Sequence, residues 1–171
     1  MEATKARVVG PKDGKAGTLG SIDVRFMING DEAGGDFSLV EHPMPPRALA
    51  APLHRHANED EYSYVLKGRV GAKLGDEVLI GEPGDLIFKP RNQWHTFWNA
   101  GDEPASILEI IAPAGFERFF EELVDFPQEK GRPPEPPEAA EIAARYGLEL
   151  DLESVPGLLS EHGLTFAMME V

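Results

Sequence analysis

Apolar and polar residues alternate along much of the chain, in short runs that turn residues separate. In residues 21–28 every second side chain is apolar and those between are mostly polar, as expected for a strand with one buried face. The 18 glycines and 15 prolines break such runs at close intervals. This rhythm predicts an all-β fold, either a sandwich or a barrel. The further predicted strands cover residues 36–40, 51–56, 61–66, 69–74, 77–80, 85–90, 95–99 and 105–112.

A helical pattern replaces the alternation after residue 112. Four apolar residues at spacings i, i+3, i+4 and i+7 predict an amphipathic helix that packs in a core more readily than it lines a ligand cavity: Phe116, Phe119, Phe120 and Leu123. The proline-rich segment 131–139 predicts a stiff connector, followed by short helices and an apolar tail. We therefore divide the chain into a β-barrel with its following helix, residues 1–127, and a connector with a helical C-terminal extension, residues 128–171.

Composition narrows the classes of function. Sixteen Lys and Arg against thirty Asp and Glu give a net charge of −14, which disfavours binding to nucleic acid or to an anionic membrane. The chain has no cysteine, so disulfides and thiolate metal sites are excluded. The N-terminal residues lack the apolar stretch of a secretion signal, and we expect a soluble, cytoplasmic protein.

Three of the five histidines are placed at the beginnings of predicted strands. His54 and His56 are two residues apart, so they share one face of a strand while Arg55 points away. Glu61 opens the next strand, and His95 opens a later one. Imidazole nitrogen binds Fe, Ni, Cu, Zn and Co well, and a carboxylate can complete such a site.

The spacing of these residues resembles the two sequence motifs of the cupin superfamily. The first is His-x-His, four residues, Glu, six residues, Gly, which His54, His56, Glu61 and Gly68 match. The second is Gly, five residues, Pro-x-Gly, two residues, His, three residues, Asn, which Gly84, Pro90, His95 and Asn99 match. Asn92 stands at the motif glycine, a substitution that a left-handed turn tolerates.

The resemblance implies a double-stranded β-helix, also called a cupin or jelly-roll barrel, with one divalent transition metal inside. It implies that His54, His56, Glu61 and His95 bind the metal, which would be Fe, Mn, Ni, Co, Cu or Zn. The sequence lacks a nucleophile elbow and a phosphate-binding loop, so any reaction depends on the metal.

Two functional hypotheses follow from the resemblance. The chain is similar to small quercetin-dioxygenase-like cupins, which implies an enzyme that adds dioxygen to a flavonol-like or other enol or phenol small molecule. In that reading Glu61 is both a metal ligand and the general base. The alternative is a non-catalytic small-ligand-binding cupin, or an isomerase or decarboxylase of keto or enol acids, which would need a basic residue in the cavity.

Strand parity also predicts the surroundings of the metal. Val65 and Phe97 share the ligands' face, and Ser63 could add a hydrogen bond, so these three are the predicted substrate-binding residues. On other strands, parity predicts that four apolar residues point inward: Phe26, Phe88, Leu108 and Ile110. It predicts that three charged residues point outward: Arg25, Lys89 and Glu109.

The remaining expectations concern the surface. Tyr62, Tyr64 and Trp98 form an aromatic outward face that predicts a homodimer, unless the terminal helices cover these rings within one chain. His42, before a proline-rich bend, is expected to be exposed. Glu59 and Asp60 are expected to lie in a solvated turn.

Overall fold

A computed structural model describes residues 5–167, in which eleven strands and three α-helices follow one another. The strands before the helices are β1 (Ala16–Thr18), β2 (Asp23–Ile28), β3 (Ser38–Met44), β4 (Leu53–His56), β5 (Asp60–Lys67), β6 (Val70–Leu74), β7 (Glu77–Gly81), β8 (Leu86–Lys89), β9 (His95–Asn99) and β10 (Ala105–Ala112). They are followed by α1 (Glu117–Lys130), α2 (Pro136–Arg145), β11 (Leu148–Asp151) and α3 (Val155–His162).

The strands form two antiparallel sheets that face each other. One has the order β1-β2-β3-β10-β5-β8, and the other has the order β11-β4-β9-β6-β7. An apolar cluster fills the space between them, and fully buried Val65, Ala72 and Ile107 belong to it. The predicted all-β double-stranded β-helix with C-terminal helices is confirmed.

Two strands face the barrel with the opposite parity to the one predicted. On β8, Lys89 points inward and is buried, whereas Phe88 lies on the outer face and is 49% exposed. On β10, Glu109 is buried and its neighbours Leu108 and Ile110 are half-buried. Residues 86–88 are all apolar, so their pattern does not determine which face is buried.

The pairing with β5 determines the parity of β8. Lys89 is paired with Glu61, and Phe88 is paired with Tyr62. Residues that face each other across a ladder lie on the same side of the sheet. Because Glu61 points into the barrel, Lys89 points there as well.

The C-terminal region packs onto both sheets. Helix α1 crosses the proposed boundary at residue 127 and contributes to a second apolar cluster with Val24, Phe26 and Ile111. Strand β11 extends the five-stranded sheet by pairing with β4. The division of the chain at residue 127 stays a prediction, and the end of the predicted apolar tail, residues 168–171, lies outside the described residues.

Helix α3 covers the outer side of the five-stranded sheet. His162 stacks on Trp98 with a distance of 4.4 Å between ring centroids, and Trp98 is buried. The aromatic outward face predicted from Trp98 is therefore covered within the chain, as the alternative prediction had it. Among residues 5–167, no helix is both long and apolar enough to pass through a bilayer.

Candidate metal centre

Four residues on three strands converge inside the barrel. His54 and His56 project from β4, Glu61 from β5 and His95 from β9. One ligand atom from each residue can be chosen so that all of them lie within 4.8 Å of one another. All four side chains are buried. These residues, which the sequence motifs singled out, form one group that could bind a metal ion.

Local structure brings these side chains to the same place. His54 pairs with His95 across the ladder between β4 and β9, which sets their rings 4.3 Å apart. The turn before His95 contains Asn92, whose φ of 62° is left-handed, and its backbone N–H donates to the carbonyl of His56 at 2.7 Å. Asparagine therefore provides the turn conformation for which the family motif uses glycine.

Backbone hydrogen bonds orient two of the imidazoles. Nδ1 of His54 lies 2.8 Å from the carbonyl oxygen of Pro52, and Nδ1 of His95 lies 3.0 Å from that of Gln93. A carbonyl can only accept, so each Nδ1 carries the proton and donates it. In the neutral ring Nε2 is then left with its lone pair free, which is how a metal-binding histidine is usually held.

The arrangement around Glu61 requires a positive charge. Its Oε2 lies 3.2 Å from Nε2 of His95 and 3.4 Å from Nε2 of His56. The lone pair on Nε2 of His95 and the carboxylate oxygen repel each other unless a proton or a cation lies between them. Neither ring nitrogen of His56 has a hydrogen-bond partner, although this side chain is buried. The donor set fits a transition metal with nitrogen and oxygen ligands.

Burial and the acidic neighbours act in opposite directions on the histidines. Burial, together with the charges of His95 and His56, holds the pKa of His54 well below its ordinary value. Burial also lowers the pKa of His95. Burial lowers the pKa of His56 too, but Glu61 and Glu59 outweigh it and raise that pKa to about 9. Two histidines are thus neutral and ready to ligate, while His56 holds a proton that a metal has to displace.

Glu61 is a strongly stabilised carboxylate. Burial alone raises its pKa, but Lys89 and the imidazole of His56 outweigh burial and hold the pKa well below its ordinary range. Nζ of Lys89 lies 3.0 Å from Oε2 of Glu61, the same oxygen that faces the histidines. The carboxylate is therefore ionised and available as a ligand at neutral pH.

The predicted substrate-binding residues lie beside this group and already have partners in the protein. Val65 belongs to the apolar cluster of the barrel. Ser63 donates its hydroxyl hydrogen to Glu109 at 2.8 Å. The ring of Phe97 lies below Nζ of Lys89, which is 4.5 Å from its centroid. Their assignment to substrate binding stays a prediction.

Sequence reasoning missed several polar groups at the site. Lys89 and Glu109 were expected outside the barrel and lie inside it. His42 was expected to be exposed, but it is buried, with Nδ1 2.9 Å from the carbonyl oxygen of Asp23. Glu59 was expected in solvent, but it is buried, with Oε2 3.5 Å from Nδ1 of His56.

Helix α1 covers two of the buried histidines. Phe116, at its N-terminal end, packs edge-on against the ring of His56 at 4.3 Å, and Phe120 packs against His42 at 5.1 Å. The helix is thus a cover for this end of the barrel. A strand pattern does not show which of its residues a distant helix will cover, so the sequence carried no signal for His42 or Glu59.

Comparisons with known proteins agree with this fold. The family model described as "Cupin domain" matches residues 40–111. The barrel resembles a predicted oxalate decarboxylase from Thermotoga maritima with a TM-score of 0.59 and 17% identity, over 63% of this chain and 99% of that one. It also resembles the polyketide cyclase RemF from Streptomyces resistomycificus with a TM-score of 0.55 and 27% identity, over 63% of this chain and 80% of that one.

One curated protein also shares sequence with the barrel. "Oxidoreductase iacF" of Pestalotiopsis fici is 38% identical over 64 residues, which is 37% of this chain and 30% of that protein. The match therefore spans less than a third of the curated relative. Taken together, the family match and the fold show that residues 40–111 form a cupin domain.

Proposed function

We propose that this cupin is a metal-dependent oxidoreductase, a dioxygenase that acts on a flavonol-like or other enol or phenol small molecule. The observation that carries the proposal is the cluster of His54, His56, Glu61 and His95, whose donor atoms converge on one point. The partial sequence match to a protein named as an oxidoreductase supports the reaction class. Val65 and Phe97 beside the cluster belong to the apolar core of the barrel, which suits an aromatic or enolic substrate better than a phosphorylated one.

A bound transition metal would supply a Lewis acid or a redox centre. His54, His56, Glu61 and His95 would hold it, and the apolar residues behind them would exclude water. We further propose that Glu61 accepts the hydroxyl proton of the substrate. Lys89 keeps the pKa of Glu61 low, so Glu61 would hold such a proton only weakly and transiently.

The experiment combines metal analysis with oxygen uptake. The protein is stripped, reloaded separately with Fe²⁺, Mn²⁺, Co²⁺, Ni²⁺, Cu²⁺ and Zn²⁺, and screened against phenols and enols on an oxygen electrode. We expect one ion per chain and substrate-dependent oxygen consumption, both lost in His54→Ala. If the metal-free protein converted the substrate as fast as the metal-loaded protein, the proposal would be wrong.

A second candidate is an isomerase, cyclase or decarboxylase of a keto or enol acid. One observation favours it: Lys89 is a basic residue inside the barrel, and an acidic substrate would compete with Glu61 and Glu109 for its ammonium group. The resemblance to a polyketide cyclase is compatible with a reaction that consumes no oxygen. Product formation under nitrogen at the aerobic rate would favour this candidate over the dioxygenase.

We also propose a homodimer formed through the outer face of the six-stranded sheet. Tyr64, Leu66, Leu86 and Phe88 are each at least 40% exposed there, and Phe88 stacks on Tyr62. A chain of net charge −14 repels a second copy, so an uncharged apolar face is where two copies can approach most closely. We also propose the cytoplasmic location that the composition leads us to expect.

A further inference from the structure

A buried lysine connects the candidate metal centre to a second carboxylate. Lys89 is the last residue of β8, and its side chain points into the barrel and is fully buried. Its Nζ lies 3.0 Å from Oε2 of Glu61 and 2.9 Å from Oε2 of Glu109. The contact with Glu109 is a charge-assisted hydrogen bond, and the contact with Glu61 is a close ion pair. The lysine therefore bridges two acids inside the barrel.

Three neighbouring strands build this bridge. Strand β5 lies between β8 and β10, and it pairs Glu61 with Lys89 on one side and Ser63 with Glu109 on the other. Lys89 reaches across β5 to Glu109, and the ring of Phe97 supports its ammonium group. Ser63 holds Glu109 with a second hydrogen bond to the same oxygen. Each member of the chain Glu61–Lys89–Glu109–Ser63 is thus held by at least one other.

Stability alone does not account for this arrangement. A buried ion pair is about as stable as, or less stable than, apolar residues of the same size, because two charges lose their hydration. Glu109 moreover keeps one oxygen, Oε1, without any hydrogen-bond partner. The pair adds no net charge when both residues are ionised, and its positive end is the one that contacts Glu61, so it does not attract a cation to the centre. What it does is fix where the carboxylate of Glu61 points.

We propose that Lys89 and Glu109 are positioning residues of the metal centre, which hold Glu61 with Oε2 turned toward His56 and His95. The inference rests on the metal site of the proposed function. Without the ammonium group, the Glu61 carboxylate is free to rotate about its last side-chain bond. A ligand that has to be ordered at the moment of binding contributes less affinity than one that is already in place.

The test removes the pair without changing the net charge. In K89M/E109Q both replacements keep the approximate shape of the original side chains. Loss of the ammonium group beside Glu61 would by charge alone strengthen cation binding, so weaker binding reports a loss of orientation. We expect the dissociation constant for Co²⁺, measured by titration calorimetry, to rise about tenfold or more. We also expect the visible absorption bands of bound Co²⁺ to shift, which a purely structural role of the pair would not cause.

Two control proteins complete the experiment. R132M/E138Q removes an exposed ion pair in the connector and should leave Co²⁺ binding unchanged. Lys89→Arg keeps a cation between the two acids and should keep a Co²⁺ spectrum close to that of the parent. If K89M/E109Q does not fold, the Lys89→Arg variant tests the proposal instead. A folded Lys89→Arg protein with strongly altered Co²⁺ binding would contradict it.

The outcomes separate this inference from the proposed function. If His54→Ala binds Co²⁺ like the parent, the metal centre itself is wrong. If His54→Ala loses Co²⁺ while K89M/E109Q binds it within about twofold of the parent and with the same spectrum, the centre stands and the positioning role is overturned.

Discussion

Beside the candidate metal centre, charged residues lie on the inner face of the six-stranded sheet and apolar residues on its outer face, the reverse of the usual distribution in a soluble protein. Its inner face carries charged Glu61, Lys89 and Glu109, all buried. One residue away on the same strands, its outer face carries Tyr62, Phe88 and Ile110, which are half-buried or exposed. Charged residues are rarely buried unless they are paired, and exposed apolar patches usually mark contact surfaces. The inversion thus supports both the proposed metal centre inside the barrel and the proposed dimer interface outside it.

The inner face should be the more sensitive of the two. Lys89→Met leaves Glu61 and Glu109 buried without their shared counter-ion, and we expect the free energy of unfolding to fall by about 3–5 kcal/mol. K89M/E109Q should recover most of this loss, because it leaves one buried charge fewer. Urea unfolding of the metal-free proteins measures both changes. A loss below about 1 kcal/mol in Lys89→Met would mean that the acids do not need the lysine.

The same inversion limits what the sequence could predict. The clustering of the four candidate ligands was predictable because the two motifs are local: alternate positions on a strand share a face, and the turns at Gly68 and Asn92 set the register. Lys89 and Glu109 were not, because apolar neighbours on both faces leave the parity of a strand undetermined. Only the pairing of β8 and β10 with β5, a non-local feature, places them inside.

The inner face also predicts a pH dependence of the metal-free protein. The pKa of His56 rises from its ordinary value of 6.5 to about 9 in the fold, after Glu61 and Glu59 outweigh burial. The contribution of His56 to stability is therefore complete below pH 6.5 and is lost as the pH rises through 9. A shift of this size corresponds to about 3 kcal/mol at most. Thermal unfolding between pH 6 and 9 should show a falling midpoint.

Bound metal should weaken this pH dependence. A metal ligand has to be deprotonated, so Co²⁺ affinity should rise with pH over the same interval as His56 gives up its proton. The midpoint of the metal-loaded protein should therefore fall less than that of the metal-free protein. Parallel curves with and without Co²⁺ would show that His56 does not ligate the ion.

The outer face should govern association rather than folding. Phe88→Ser removes a ring that is 49% exposed, so we expect the unfolding free energy of the single chain to change by less than about 1 kcal/mol. The proposed dimer, however, should become monomeric in sedimentation velocity experiments. Val78→Ser, at a 44% exposed position on β7 of the other sheet, is the matched control and should stay dimeric. A parent protein that is monomeric at all concentrations removes the proposed interface.

The smallest effect of breaking an ion pair is expected for Asp60 and Arg91, although this pair has more hydrogen bonds than Lys89 makes with Glu61. Asp60 adjoins Glu61 in sequence, and it accepts hydrogen bonds from Nε and Nη2 of Arg91 at 3.1 and 2.9 Å. The Arg91 side chain is 43% exposed, however, so water replaces whatever the pair loses. The backbone N–H of Arg91 donates to Asp60 at 2.8 Å. In Asp60→Asn the side-chain amide oxygen can accept the same hydrogen bond.

We therefore expect Asp60→Asn to lower the unfolding free energy by only about 0.5–1 kcal/mol, measured in the same urea series as Lys89→Met. The two ion pairs have similar geometry and lie on the same two strands, β5 and β8, or directly beside them. The difference in their effect then comes mainly from burial, together with the second acid that Lys89 neutralises. A loss above about 2 kcal/mol in Asp60→Asn would show that proximity to the metal ligands, rather than exclusion of water, makes the ion pairs of this sheet important.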